Sequence, residues 1–216
     1  MFDKHNIMSP ELEVIDSKQK LIDAAIKLFA SQGYDGTSVK DLAEAAGINV
    51  SMVSYYFGGK EGLYRKVLSQ FGEERLGVSQ KILISPKSAE EMRVRLEMYV
   101  DEFIQCHLDY PDLATIVQRE CEMESPHAED IFEKTFLKGF TTLVEFLTDC
   151  QKKKFIKTKT DLVLATSMIF GTICNAARKD RVAAKYFKKS LKEKKYKVEF
   201  RDQLLSIFFE GVENEK

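Results

Sequence analysis

The sequence predicts an all-α protein, in which an N-terminal three-helix unit is followed by a larger helical region. Apolar residues recur at intervals of three and four from Ser17 towards the end of the chain, which is the spacing of one face of an α-helix. Glycine or proline follows several of these periodic segments and marks their ends. No segment of useful length alternates apolar and polar residues as a half-buried strand does.

Composition narrows the classes of protein that the chain fits. The 216 residues are 44% apolar and 31% charged, which is typical of a globular protein with a sizeable core. No apolar run approaches the ~18 residues of a membrane span, and the first residues lack the layout of a secretion signal. We therefore expect no membrane partner and a cytoplasmic location. Four cysteines without C-x-x-C spacing predict neither a metal site nor a disulfide framework, and we expect no cofactor.

The periodic segments divide the chain into three parts. Residues 1–15 predict a flexible N-terminal tail, because a Ser-Pro pair interrupts any helix there. The helical periodicity within residues 16–66 predicts a three-helix domain, whose first helix ends at Gly33. Residues 67–216 predict a second, helical domain. The buried stripe of the first helix consists of Leu21, Ala24, Ala25, Leu28 and Phe29.

Two short helical patterns on either side of a glycine lie at the centre of the first domain. The first has an apolar stripe formed by Val39, Leu42, Ala43 and Ala46. Ser38 and Asp41 fit a capping box at its start, and Gly47 supplies the positive φ that ends it. Asn49 is a suitable cap for a second helix over residues 50–57, which a Gly-Gly pair ends. This layout is typical of a helix-turn-helix that reads DNA, although an ordinary corner between two helices would have the same pattern.

The same stretch resembles the DNA-binding domain of the TetR family of one-component repressors. The resemblance covers Ser17 to about Leu68, with two departures from the family pattern. Ser51 stands where glycine or proline is common, and Ser54 stands where an aromatic residue is common. The residues that match in order and spacing are Thr37, Leu42-Ala43, Ala46-Gly47-Ile48, Val53, Tyr56-Phe57, Lys60-Glu61 and Leu63.

The second short helix offers the side chains with which DNA is read. A recognition helix presents its N-terminal residues to the major groove. Its hydrogen-bonding side chains suit base edges or phosphates, and its small apolar ones suit a thymine methyl group. For Tyr56, packing in the core is an open alternative. The predicted contacts from this region are Asn49, Val50, Ser51, Met52, Ser54, Tyr55 and Tyr56.

The family resemblance adds three residues outside that helix. It implies that Thr37 and Lys40 approach the DNA backbone or a base, and that Lys60 binds a phosphate. Lys60 also follows a Gly-Gly pair at the start of the next helix, where free amide groups favour an anion. That helix is predicted to run to about Ile84 and to connect the two domains, with Gly72 as a point of weakness.

The resemblance further implies a ligand pocket and a dimer interface in the second domain. The pocket candidates are Met98, His107, Arg119, Phe136 and Phe140, of which the Arg or the His would orient a polar or anionic group. The last two helices would pair with their copies in a homodimer. The interface candidates are Ala165, Ile169, Ile173, Ala176, Leu204, Leu205, Phe208 and Val212. A monomer core would use the same residues, so this alternative stays open.

Together these features predict a homodimeric repressor that binds a near-palindromic operator and is relieved by a small-molecule effector. The alternative is a helical ligand-binding or interaction protein whose helix-turn-helix does not read DNA. Ser54 and the small charge of the first domain motivate this alternative, since residues 16–66 contain seven Lys or Arg against six Asp or Glu. No nucleophile elbow, HExxH or dinucleotide fingerprint predicts an enzyme.

Overall fold

A computed structural model describes residues 10–123 and 127–212, and in this part of the chain the secondary structure is helical, without a strand. The predicted all-α class is confirmed. The helices are α1 (Pro10–Gln32), α2 (Val39–Ala46), α3 (Ser51–Phe57), α4 (Lys60–Ile82), α5 (Ala89–Asp109), α6 (Pro111–Met123), α7 (Glu129–Phe132), α8 (Lys138–Lys152), α9 (Leu162–Arg178), α10 (Asp180–Phe187) and α11 (Lys194–Val212), with a π-helical turn at Glu133–Leu137 before α8.

The helices form two compact units. The first contains residues up to 71 together with 112–132, and the second contains residues 72–111 and 133 onward. Helix α4 therefore belongs to both units, with residues 60–71 in the first. The segment 112–132 lies in the same unit as the helix-turn-helix, whereas the sequence had placed it in the second domain.

The core of the first unit is built on α1, from which Leu21, Ala25 and Phe29 are fully or almost fully buried. Leu42 of α2 and Val53 of α3 are also buried. Burial of each large apolar side chain contributes about 1.5–3 kcal/mol to folding. The predicted stripe of α1 thus packs inward together with the two short helices.

The start of α1 corrects the predicted tail. Residues 10–15 are helical rather than flexible, and α1 begins at Pro10. Proline is favoured in the first turn of a helix, because its missing N–H has no intrahelical partner there. Pro10 therefore starts a helix instead of interrupting one. Residues 1–9 of the predicted tail lie outside the described residues.

The second unit has α5 at its centre. Met92, Leu96, Val100 and Ile104 of this helix are buried, and α8, α9 and α11 contribute most of the other side chains of the core. The Ser88 side chain accepts a hydrogen bond from the Glu91 amide and caps α5. Residues 124–126 lie outside the described residues, and the next described helix begins at Glu129.

Gly72 has a packing role that the sequence did not indicate. A Cβ at this position would lie 2.4 Å from Oγ1 and 2.6 Å from Cβ of Thr135, both of them far inside contact distance. The glycine thus allows α4 and the π-helical turn to approach closely. This contact accounts for Gly72 without a bend in α4, which runs unbroken from Lys60 to Ile82.

Candidate nucleic-acid interface

Helix α2 is fixed at both ends by the predicted local signals. The Asp41 amide donates to the Ser38 hydroxyl at 3.1 Å, and the Ser38 amide donates to the Asp41 carboxylate at 2.9 Å, which completes the capping box. The hydrogen bond from the Ser38 hydroxyl is the main cause that holds the pKa of the Asp41 carboxyl below its ordinary value. At the other end Gly47 adopts φ 67°, and its N–H bonds back to α2.

The turn into α3 is held by a side chain. The Asn49 side-chain oxygen accepts hydrogen bonds from the Ser51 amide at 3.0 Å and from the Ser51 hydroxyl at 2.8 Å. Such an Asx turn satisfies one of the unpaired amides at the start of a helix. Asn49 was predicted to cap a helix that begins at Val50; α3 instead begins at Ser51 with Val50 at its N-cap, and the Asn49 side chain closes the turn just before it. The helix ends at Gly58 with φ 74°. The buried Val53 holds α3 against its own domain.

The start of α3 and its outer face are accessible. Tyr55 has 78% of its surface exposed and Val50 has 50%, although both carry large apolar groups. Asn49, Ser51 and Ser54 are exposed as well. Met52 and Tyr56 are half-buried, and the Tyr56 ring lies 5.4 Å from the Lys18 ammonium. The predicted reading residues of α3 therefore form one surface, of which Tyr56 is the edge nearest the core.

Thr37 does not belong to this surface. Only 1% of it is exposed, its hydroxyl donates to the Gly33 carbonyl at 2.8 Å, and its amide donates to the Tyr34 carbonyl at 3.2 Å. The predicted DNA contact from its side chain is therefore wrong. Thr37 instead closes the loop between α1 and α2, and the exposed Lys40 is the cation of α2 beside the surface.

Lys60 begins α4 and is half-buried. Its ammonium donates to the Tyr34 carbonyl at 3.0 Å and lies 4.0 Å from the centre of the Tyr34 ring, which is a cation–π contact. An ammonium has three donors, so this arrangement leaves hydrogen-bonding capacity for a phosphate. Gly59, with φ 115°, precedes Lys60. The expected phosphate contact from Lys60 thus stays a prediction.

The segment 112–132 is bound to the helix-turn-helix domain by polar contacts that the sequence did not predict. The Tyr64 hydroxyl donates to the buried Glu120 carboxylate. Arg65 makes a paired contact with the Asp130 carboxylate at 2.8 and 2.9 Å and donates to the His127 carbonyl at 3.0 Å. The partners lie more than fifty residues apart in sequence, so no local pattern could have indicated them.

Arg119 belongs to the same set of contacts. Its guanidinium donates to the Phe29 carbonyl near the end of α1 at 2.9 Å. It was predicted to orient a ligand in the second domain, but it lies in the first unit with this bond already formed. Its assignment to the pocket is therefore wrong.

The remaining pocket candidates lie in the second unit and are only partly brought together. The Phe103 ring contacts two other rings, that of His107 at 4.7 Å and that of Phe170 at 4.6 Å between ring centres. The Phe140 ring lies 5.3 Å from the Phe170 ring. Met98 is exposed on the surface, and Phe136 packs at the site of Gly72. His107 and Phe140 thus share an aromatic cluster, whereas the other candidates do not join it.

The predicted dimer helices α9 and α11 border an apolar groove of about 820 Å³. Most of the predicted interface residues lie in the core of one chain, namely Ala165, Ile169, Ile173, Leu205 and Phe208, while Ala176 and Leu204 are half-buried. The Val212 side chain lies outside the described residues. The groove instead exposes Leu164 (59%), Met168 (58%) and Ile207 (67%). These three exposed side chains lie on the same two helices, and the predicted residues Ala165, Ile169, Leu204 and Phe208 line the same groove.

Two kinds of feature are absent from the described ranges, a membrane span and a cluster of metal ligands. No helix there is long and apolar enough to cross a membrane. No group of three or more His, Cys, Asp or Glu residues there is arranged to hold a metal ion.

Comparison with known proteins places the helix-turn-helix among bacterial regulators. Residues 21–67 match the model of the bacterial regulatory proteins of the tetR family. A probable HTH-type transcriptional regulator of Bacillus subtilis (strain 168), YttP, is 32% identical over 129 residues. That match covers 57% of this chain and 59% of the relative, so the chain spans less than two thirds of that protein's length.

A second relative and a solved structure extend the comparison. The biofilm operon negative transcriptional regulator IcaR of Staphylococcus epidermidis is 43% identical over 49 residues, which are 23% of this chain and 26% of IcaR. The structure of the ketosteroid transcriptional regulator KstR2 of Mycobacterium tuberculosis superposes with a TM-score of 0.68 and 20% identity. The superposition covers 92% of this chain and 95% of the KstR2 chain, which establishes a shared fold.

Proposed function

We propose that this chain is a member of the TetR family of bacterial regulatory proteins and acts as a DNA-binding transcriptional repressor of the cytoplasm. The observation that best supports DNA binding is the exposed start of α3, a helix that is fixed between the Gly47 turn and Gly58. A short helix held in this way by a capped neighbour is a rigid element that a major groove accepts. The name of IcaR as a negative regulator supports repression as the outcome.

The contacts divide into base-reading and backbone-binding groups. Asn49, Ser51 and Ser54 offer amide and hydroxyl groups to base edges, while the Val50 and Met52 side chains suit thymine methyl groups. Tyr55 and Tyr56 offer hydroxyls, and Lys40 and Lys60 offer ammonium groups, to the phosphates. A net charge of −1 for the whole chain is compatible with these contacts, because phosphates respond to the donors and charges at the DNA-binding surface and not to the total charge.

The active species is a homodimer on a near-palindromic operator. Leu164, Met168 and Ile207 leave an apolar surface on α9 and α11 that a second copy covers in a two-fold arrangement. Two copies of α3 related by this symmetry read half-sites about 34–36 Å apart, one helical turn of DNA. A single copy of α3 is too short to select an operator by itself.

A small-molecule effector relieves repression by binding in the second unit. The aromatic cluster of Phe103, His107, Phe140 and Phe170 supports an apolar ligand with one polar group. Helix α4 transmits the change, since it contributes residues to both units. The effect on DNA affinity equals the ligand's preference for the released state over the bound state and cannot exceed it.

The test is selection of random duplex DNA by the purified full-length protein at about 150 mM salt, which preserves specific affinity while weakening non-specific binding. The proposal predicts enrichment of a near-palindromic consensus. A folded dimer that enriches no sequence, with or without cell extract to supply an effector, would favour the alternative of an interaction protein that does not read DNA.

A further inference from the structure

A cysteine and a histidine outside the DNA-binding surface form a geometric pair in the second unit. The Sγ atom of Cys174 on α9 lies 3.5 Å from Nε2 of His107 on α5. The other ring nitrogen, Nδ1, lies 2.9 Å from the Phe103 carbonyl oxygen. A carbonyl oxygen can only accept, so Nδ1 must carry the hydrogen. In the neutral ring Nε2 is then the acceptor, and it faces the thiol.

The surroundings keep this imidazole neutral. Burial lowers the pKa of His107 below its ordinary value, and the hydrogen bond to the Phe103 carbonyl only partly opposes that effect. The Phe103 ring stands 4.7 Å from the His107 ring at 81°, and it also contacts Phe170. A nucleophile, a base and a group that orients the base are therefore present in one place.

Cys174 differs from the other three thiols because its sulfur lies beside the imidazole of His107. Cys106 and Cys150 are buried, and burial raises the pKa of their thiols to about 11 and about 12. Cys121 lies at the surface, yet desolvation of its sulfur and the neighbouring glutamates raise its pKa as well. Cys174 is half-buried beside the acceptor nitrogen of an imidazole.

Cys174 is only half-buried, so part of this residue is in contact with solvent. One turn earlier on α9, Gly171 is exposed, and no atom lies within 4 Å of the place where its Cβ would stand. Cys174 does not line the apolar groove that Leu164 and Met168 border.

We propose that Cys174 is a modification site for small apolar electrophiles of the conjugated carbonyl class, with His107 as the base. Nε2 takes the thiol proton, and the sulfur forms an S–C bond with the β-carbon of the C=C–C=O group. The electron pair of the C=C bond moves towards the carbonyl, and the α-carbon then takes a proton from the imidazolium. The thiol thus adds across a double bond, without an oxidant and without a leaving group. The rings of Phe103 and Phe170 favour a planar apolar reagent over a charged one.

The experiment measures labelling of the full-length protein by N-ethylmaleimide, with each cysteine followed by peptide mass spectrometry. The same protein unfolded in guanidinium chloride is the reference, because all four thiols are then free of their folded surroundings. We expect Cys174 to react at least about tenfold faster in the folded protein than in the unfolded one, since general-base assistance commonly contributes more than that. Cys106 and Cys150 react more slowly when folded.

A variant of His107 tests whether its imidazole acts as the base. His107→Gln keeps a polar side chain of similar size but removes the base, and it is expected to lower the folded rate at Cys174 at least about tenfold while the rate at Cys121 stays unchanged. Folded Cys174 that reacts no faster than unfolded Cys174 would overturn the proposal, whether or not the variant folds. An unchanged Cys174 rate in a folded His107→Gln protein would overturn it as well.

Discussion

The Lys60 ammonium and the Tyr34 carbonyl oxygen are 3.0 Å apart, and the ammonium also lies 4.0 Å from the centre of the Tyr34 ring. Through this contact the first residue of α4 fixes the loop that leads into α2. The Thr37 amide donates to the same carbonyl. The cation at the edge of the proposed DNA surface is thus held in place before any DNA is bound, which lowers the entropy cost of a phosphate contact.

Replacement of Lys60 tests that phosphate contact. Lys60→Ala is expected to weaken binding to every duplex alike and to reduce the slope of log K against log salt by about two for the dimer, because each of its two subunits loses one phosphate contact and the counterion released with it. The measurement is a salt titration of DNA affinity by fluorescence anisotropy. Lys66→Ala is the matched control, since Lys66 is exposed on the same helix one and a half turns later. A slope that Lys60→Ala leaves unchanged would remove Lys60 from the phosphate contacts.

The capping box of α2 predicts a loss of stability. Ser38→Ala removes the acceptor for the Asp41 amide and is expected to lower the free energy of unfolding by about 1 kcal/mol. Chemical denaturation with helical circular dichroism measures it. Ser69→Ala is a suitable control, because the Ser69 hydroxyl donates only to the Lys66 carbonyl on an exposed part of α4. Equal stability of both variants would contradict the capping role.

The same box predicts a dependence on pH. The pKa of Asp41 is lowered in the folded protein, chiefly by the Ser38 hydroxyl, so the carboxylate form is the one that folding favours. Its contribution is complete above the ordinary pKa of 3.8 and is lost as the pH falls through the lowered value. We therefore expect Asp41→Asn to be less stable than the parent at neutral pH, with a difference that disappears in acid. Glu44→Gln, later on α2 and outside the capping box, is the control. If its stability difference from the parent also disappears in acid, the effect is not specific to the capping box.

The contact between Tyr64 and Glu120 predicts how firmly α6 is bound to the helix-turn-helix domain. Burial, followed by the hydrogen bond to Glu120, raises the pKa of the Tyr64 hydroxyl, so it stays a donor throughout the neutral range. Tyr64→Phe leaves a buried carboxylate without this donor and should cost about 1–3 kcal/mol. The control is Tyr55→Phe at an exposed position. Thermal unfolding measures both, and a Tyr64→Phe protein as stable as the control would contradict the account.

The groove on α9 and α11 predicts the position of the dimer interface. Met168→Glu and Ile207→Glu each place a charge on its exposed apolar surface and are expected to yield monomers, because an unpaired charge is costly to bury. Light scattering coupled to size-exclusion chromatography measures the mass. Val94→Glu alters an equally exposed residue of α5 outside the groove. Dimers that persist in both groove variants would exclude this surface.

Local signals made the helix-turn-helix predictable from the sequence. The pairs that define it are three residues apart or lie at a glycine, as in the Ser38 and Asp41 box and the Gly47 turn, so residue type and spacing determine their geometry. The contacts of the segment 112–132 are different. Arg119 and Phe29 are ninety residues apart. Only the packing of the chain brings them together.

The choice of helix face explains why several of the predicted interface residues are core residues of one chain. Helix α9 carries two adjacent apolar stripes, one with Ala165 and Ile169 and the other with Leu164 and Met168. Periodicity shows that both are apolar but not which of them a single chain buries. The structure buries the first and exposes the second. For Thr37, a matched position in a motif did not reveal that its hydroxyl is used inside the protein.

The most direct test of the account is selection from random duplexes by Asn49→Ala beside the parent protein, at the same salt concentration. If the start of α3 lies in the major groove, the variant should retain the parent consensus but relax it at one symmetric pair of positions, where a lost base contact costs about 1–3 kcal/mol. A variant that selects the identical consensus with the same stringency at every position would contradict base reading from this end of the helix.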